Sequence, residues 1–364
     1  MALSIIGAMP TPRSWDVFCR VVDNHGDLGV AWRLCADLAS RGEVVRLWVD
    51  DGRALAWMAP GGQAGVACVA WTEPAPDLAP RDVVVECFGC EPPPRFVERM
   101  AAMRPAPIWI NLEYLSAEAY VERSHGLPSP VTRAEGATLA RRFFYPGFTP
   151  RTGGLLREPG LLARLESIDG AGWLAGHGIE RQPGQRVASL FCYANPAMPA
   201  LLNRLAAEPT LLLLAPGPAA EQACEALGPD LRKGALRAQR LPWLTQADYD
   251  DLLRACDLNF VRGEDSFVRA QWAARPFVWQ AYAQADGSHR AKLLAFLDRL
   301  LAGADERVAL PLRGLMLAWN GFAPLPGDLP PRAAWQAHCE AWRDDLAREP
   351  DLTTQLLGWL SKMR

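Results

Sequence analysis

Apolar residues in the first third of the chain come in short runs separated by stretches of helical spacing. Asp16-Val-Phe-Cys-Arg-Val-Val22 predicts a strand, after which Leu28, Ala31, Trp32, Cys35, Leu38 and Ala39 fall on one face of a helix that Gly42 ends. Residues 44–49, 66–69, 83–87 and 108–112 predict further strands, with helical patterns at 53–58 and 95–103. Strand and helix in repeated alternation predict a mostly parallel sheet with helices on both faces. After Leu112 the pattern loosens: 113–122 has helical spacing, whereas 142–148 and 153–156 read as loop and strand edge.

Gly176-His-Gly-Ile-Glu-Arg-Gln-Pro-Gly184 is polar and rich in breakers, and predicts a linker. A second alternation follows, with strands at 187–192, 210–215, 236–241, 258–261 and 276–279. Helices are expected at 200–207, 221–227, 267–274 and 292–301, and another runs to Cys256 from Thr245, whose cap has Asp248 at the third position. Helical segments at 335–348 and 352–363 close the chain. The expected architecture is α/β, with two doubly wound domains (residues 1–178 and 184–364) facing each other across a cleft. In such sheets ligands bind beyond the carboxyl ends of the strands.

Composition narrows the function classes. The chain has 364 residues, 22% of them charged and 50% apolar, enough for two cores and too apolar for disorder. A net charge of -3, with no basic run, predicts no nucleic-acid partner. Nine cysteines spread from Cys19 to Cys339 read as free thiols of a reducing compartment, so the cytoplasm is expected. Cys87 and Cys90 have C-x-x-C spacing, but no second pair completes a zinc site. The scattered histidines show no ligand spacing, and no metal or cofactor is expected. No secretory leader is read at the start of the chain, and no apolar run reaches membrane-spanning length.

Two strand-to-helix segments carry candidate chemistry. In Arg262-Gly-Glu-Asp-Ser266, Gly263 permits a sharp turn and Asp265 or Ser266 can cap the next helix, whose first N–H groups suit a diphosphate. The same residues also fit an ordinary capped turn. In Val22-Asp-Asn-His-Gly-Asp27, Asp23 and Asp27 can turn two carboxylates into the cleft, or can serve as an Asx turn and a helix cap. Phe191, Tyr193 and Trp243 stand at strand ends, where aromatics can sandwich a planar base or pack at the rim. Nucleotide-binding and serine-hydrolase signatures (G-x-G-x-x-G, the P-loop, G-x-S-x-G) are missing from the sequence.

Taken together, Asp16-Val-Phe-Cys-Arg-Val-Val-Asp-Asn-His-Gly-Asp-Leu-Gly-Val-Ala-Trp-Arg-Leu34, Asn111-Leu-Glu-Tyr-Leu-Ser116, Phe144-Tyr-Pro-Gly-Phe148, Ser189-Leu-Phe-Cys-Tyr193 and Arg262-Gly-Glu-Asp-Ser-Phe-Val-Arg-Ala-Gln-Trp272 resemble the EarP family over nearly the whole chain. These are bacterial protein-arginine rhamnosyltransferases that modify translation elongation factor P. The resemblance implies an inverting, metal-independent GT-B glycosyltransferase, with dTDP-β-L-rhamnose held by the C-terminal domain and the acceptor protein mainly by the N-terminal one. It also implies Asp27 as general base with Asp23 as its companion, and Asn24 and Gly26 in the same substrate loop. Phe191 and Trp243 would flank the thymine, and Tyr193 and Gln246 would add donor contacts. Arg262, Gly263, Asp265 and Ser266 would hold the diphosphate and sugar, and Glu264 is an acidic residue of functional weight. Its role stays open between a sugar hydroxyl and the acceptor arginine. His25 stands where the family usually has an aromatic, and Trp243 where it commonly has Phe. A transferase or sugar-nucleotide epimerase working on a small molecule would share the same donor site.

Overall fold

A computed structural model describes residues 12–23, 25–132, 138–284 and 286–363. Asn24 therefore lies outside the described residues. Seven strands form the first sheet: β1 (Ser14–Cys19), β2 (Val44–Val49), β3 (Val66–Ala70), β4 (Val83–Cys87), β5 (Ile108–Leu112), β6 (Pro128–Thr132) and β7 (Thr138–Phe144). Their order is β3-β2-β1-β4-β5-β7-β6, parallel except for the β6–β7 pair. The second sheet contains β8 (Arg186–Leu190), β9 (Thr210–Leu214), β10 (Arg232–Lys233), β11 (Leu236–Arg240), β12 (Leu258–Arg262) and β13 (Phe277–Gln280). It runs β10-β11-β9-β8-β12-β13, and only β10–β11 is antiparallel. Val83-Val-Val and Leu211-Leu-Leu-Leu214 are buried throughout, as central parallel strands covered on both faces must be.

The chain order reverses beside β1 in one sheet and beside β8 in the other. At such switch points the flanking crossovers leave on opposite faces, and a crevice opens beyond the strand ends. Both candidate loops follow strands at these places: residues 20–25 follow β1, and Gly263–Glu264 follow β12, the neighbour of β8.

The division of the chain is less simple than a linker at 176–184 with domains 1–178 and 184–364. Leu161 and Leu165 already pack into the core of the second sheet, and Leu174 and Ile179 pack on its other face. Leu352, Leu356 and Leu360, in the last helix (Leu352–Ser361), return to the first core instead. Arg41 pins that helix by bonding Asp351 at 2.8 Å. A breaker-rich stretch shows where the chain bends, but the core a helix joins depends on which apolar face it finds, and periodicity is blind to that. Local expectations shift as well. The helix expected at 113–122 shrinks to Tyr120–Ser124, and of the loop and strand edge expected from 142 onward, 142–144 end β7. Glu306–Trp319, which the pattern leaves unassigned, is a helix with Pro311 inside it. No helix among the described residues is long and apolar enough to cross a membrane.

Candidate active site

Asp27 opens the site. It lies in the first turn of the helix Gly26–Ser40 and is 3% exposed. It does not cap that helix, whose N-cap is His25 with no side-chain bond. Its carboxylate folds back instead, and Oδ2 accepts the backbone N–H groups of Val22 (2.9 Å) and Asp23 (2.8 Å). Oδ1 accepts the hydroxyl of Tyr114 at 3.3 Å. Burial raises the Asp27 pKa above the usual carboxylate value despite these donors. The result is a fixed, desolvated carboxylate.

Asp23 points the other way, across the cleft. Tyr193 donates its hydroxyl to Asp23 Oδ2 at 2.5 Å, and Arg262 Nη1 stands 3.7 Å from Oδ1, too far for a hydrogen bond. Among the described residues, Asp23 Oδ1 and Arg262 Nη1 are both buried without a hydrogen-bond partner. Such orphaned groups at the centre of a cleft are usually completed by a ligand. Arg262 is held between two rings, its guanidinium carbon 4.7 Å from the Phe191 centroid and 4.5 Å from that of Tyr193.

Gly263 turns the chain at φ +60°, and a β-carbon there would stand 2.8 Å from Asp23 Oδ2. Only glycine fits this approach. The helix that follows, Asp265–Ala273, also begins without a side-chain cap, so neither Asp265 nor Ser266 takes the capping role. Both residues lie inside its first turn. The Ser266 hydroxyl reaches back to the Arg262 carbonyl. Asp265 Oδ1 accepts Arg33 Nε at 2.7 Å, and Gln246 Nε2 approaches Oδ2 at 3.3 Å. The uncapped turn keeps its N–H groups available to an anion.

Glu264 faces a different space from its neighbours. Its Oε2 accepts the Leu115 N–H at 2.8 Å, and burial pushes its pKa up to about 7, against the pull of Lys292.

Two cavities meet at this point. One, of about 660 Å³, is lined by Phe191, Trp243, Gln246, Arg262, Asp265 and Ser266, and on the facing lobe by His25 and Trp57. The other, of about 860 Å³, is lined by Asp27, Tyr114, Glu264, Phe267, Trp279 and Lys292. Asp23, Gly26 and Gly263 line both, forming the wall between them. Trp243 is 44% exposed and stacks on Trp57 at 4.4 Å, and His25 sets its edge against both rings.

The structure thus gathers every described sequence candidate on these two cavities, apart from Tyr193, which reaches the dividing wall through Asp23. Arg33, Trp57, Tyr114 and Lys292 escaped the sequence reading. Arg33 and Trp57 sit within helical patterns that also serve a core, Tyr114 lies in the segment Asn111–Ser116 that carries the resemblance but was given no role, and no local signal marks Lys292. Among the described residues there is no grouping of three or more metal-ligating side chains.

Two switch-point sheets with a split cavity between them define the fold of GT-B glycosyltransferases. The spinosyn rhamnosyltransferase SpnG shares this fold at a TM-score of 0.50, with 14% identity over 95% of this chain and 99% of that one. The family described as elongation factor P (EF-P) rhamnosyltransferase EarP matches residues 15–361, and the chain belongs to it. A protein-arginine rhamnosyltransferase of Pseudomonas aeruginosa is 42% identical over 94% of this chain and 98% of its own length. One of Neisseria meningitidis is 32% identical over 95% and 96%. A solved structure described as the structural basis for EarP-mediated arginine glycosylation of EF-P matches at a TM-score of 0.66, with 32% identity over 96% of this chain and 99% of that one.

Proposed function

We propose that the protein transfers L-rhamnose from dTDP-β-L-rhamnose to an arginine side chain of elongation factor P, with inversion at the anomeric carbon and without a metal. The observation that carries this reading is the placement of Asp27 and Arg262 in adjoining cavities separated by the Asp23–Gly263 wall. A leaving diphosphate on one side and a proton acceptor on the other is the arrangement that an in-line displacement needs.

The thymine lies against Trp243 and Phe191 in the first cavity. The diphosphate meets the Arg262 guanidinium and the first-turn N–H groups of Asp265 and Ser266, which stabilise the negative charge that develops as it leaves. The sugar projects past Gly263 into the second cavity.

The acceptor is a guanidinium, and its proton is the difficulty. A carboxylate of pKa ~4 facing a guanidinium of ~13 would need about 12 kcal/mol to deprotonate it beforehand. The elevated pKa of Asp27 reduces this gap without closing it. Asp27 and Asp23 instead hold the guanidinium by charge-assisted bonds and turn one nitrogen toward the anomeric carbon. The C–N bond forms as the C–O bond to dTDP breaks, and the nitrogen, acidified by that bond, passes its proton to Asp27. Tyr114 keeps the receiving oxygen in place.

The test is to incubate the purified protein, folded elongation factor P and dTDP-L-rhamnose, and to map any deoxyhexose by peptide mass spectrometry. One deoxyhexose on an arginine is expected. An unmodified factor, or a sugar on another residue type, contradicts the proposal. The same reaction with chelator present is expected to proceed unchanged.

A further inference from the structure

Lys292 has no place in the chemistry described so far. It lies in the first turns of the helix His289–Leu300, is part-buried, and lines the second cavity together with Asp27, Tyr114 and Glu264. Its ammonium stands 5.6 Å above the Tyr114 ring. Among the described residues it has no hydrogen bond and no carboxylate within 4.0 Å. An enclosed ammonium with no partner is costly unless something else enters to complete it. Burial accordingly lowers its pKa, with Glu264 and Glu118 opposing.

Glu264 is half of the same arrangement. One of its oxygens is held by the Leu115 N–H, and the other takes no hydrogen bond from the described residues. A free cationic donor and a free anionic acceptor thus look into one cavity. The lining beside Glu264 is different in kind, built from Leu115, Trp279 and Phe267, the last two stacked at 4.0 Å. Hydroxyl-binding groups and apolar carbon lining one cavity suit a ring that carries both hydroxyls and a methyl group.

We infer that Lys292 is a sugar-binding residue that determines, together with Glu264, which sugar the enzyme accepts. Its ammonium donates to one hydroxyl of the donor's deoxyhexose, Glu264 accepts from a neighbouring one, and the apolar wall receives the C6 methyl. This rests on the nucleotide-sugar reading of the two cavities. It also gives the cation a second effect, since a lysine on this wall turns the acceptor guanidinium away from Glu264 and toward Asp27 and Asp23.

The experiment compares dTDP with dTDP-L-rhamnose by calorimetry for wild type, Lys292→Met and Lys292→Arg, with melting curves as a folding control. Lys292→Met is expected to bind dTDP within about twofold of wild type but to bind dTDP-rhamnose, and to show its KM, worse by about tenfold or more. Lys292→Arg is expected to recover part of that loss. An unchanged affinity for dTDP-rhamnose overturns the inference. So does an equal loss for both ligands in a variant that melts like wild type, because the lysine would then serve the phosphates. If Lys292→Met does not fold, Lys292→Arg decides alone, through a loss confined to the sugar nucleotide. A wild-type protein that binds neither ligand removes the nucleotide-sugar reading itself, a different result from either of these.

Discussion

Arg33 Nε donates to Asp265 Oδ1 over 2.7 Å and ties the helix that carries Asp27 to the helix that begins the diphosphate segment. The same guanidinium reaches Asp250 at 3.0 Å and Glu158 at 3.3 Å, and Arg269 closes the group from the other side. Burial works against the Arg33 charge, but Asp250, Asp265 and Glu158 outweigh it and hold its pKa above the ordinary value. The relative position of the helices Gly26–Ser40 and Asp265–Ala273 is therefore set by a buried ion network. Removing one member strands the others, so Arg33→Gln is expected to destabilise the protein by about 3 kcal/mol in urea unfolding. Arg33→Lys should lose less. A shift smaller than about 0.5 kcal/mol for Arg33→Gln, the range of an ordinary surface change, would contradict this role.

Gly263 offers a sharper probe of the wall between the cavities. Alanine there faces a φ of +60° and a contact of 2.8 Å with the Asp23 carboxylate that Tyr193 holds. The conformation alone costs roughly 1–2 kcal/mol, and the contact forces Asp23 or the turn to move. Gly263→Ala should therefore lose both dTDP affinity and turnover. Wild-type values for both would mean that the wall does not divide donor from acceptor.

Trp243 is expected to stack on the donor's base. Trp243→Ala should weaken dTDP binding by about 1–3 kcal/mol in calorimetry. The Trp57 stack complicates the site, because it comes from the facing lobe and covers part of the same indole. Unchanged affinity in Trp243→Ala would move the base elsewhere in the cavity.

Burial raises two glutamates, Glu264 and Glu86, to about 7 from a usual 4.5, with Arg141 opposing at Glu86. Between those values the native state holds protons that the unfolded chain has released, so stability falls as pH rises through the window. The ligand-free protein should thus unfold at less urea at about pH 7 than at about pH 5. Glu86→Gln, at a residue that lines neither cavity, should flatten that slope. A stability that rises across this range with Glu86 intact would contradict the assignment.

Much of this was legible beforehand, for identifiable reasons. The strands at 44–49 and 83–87 are apolar runs between breakers, each carrying a single charged residue (Arg46, Glu86), and the loops at Asp23–Asp27 and Arg262–Ser266 stand out because glycine and carboxylates interrupt strand and helix. Their proximity was not readable from spacing, since it depends on a pairing of lobes between residues more than 200 apart. Asp27, Asp265 and Ser266 do not take the capping role that the sequence left open to them for one reason: the groups that take those side chains lie in a loop backbone, in another lobe and in the preceding carbonyl. The helix Glu306–Trp319 was hidden by Pro311, a breaker that its flanking turns tolerate. Lys292 and Trp57 carry no local mark of function, and their meaning comes only from what stands across the cavity.

In the proposed reaction Asp27 receives the proton of the acceptor and does not hold the donor, and Asp27→Asn separates the two roles. Its dTDP affinity and the intact mass of elongation factor P after incubation with dTDP-L-rhamnose are to be read on the same preparation. Binding of dTDP within about twofold of wild type and no deoxyhexose on the factor are expected. Sugar transfer near the wild-type rate, or a large loss of dTDP affinity that places Asp27 in the donor cavity, would contradict that role.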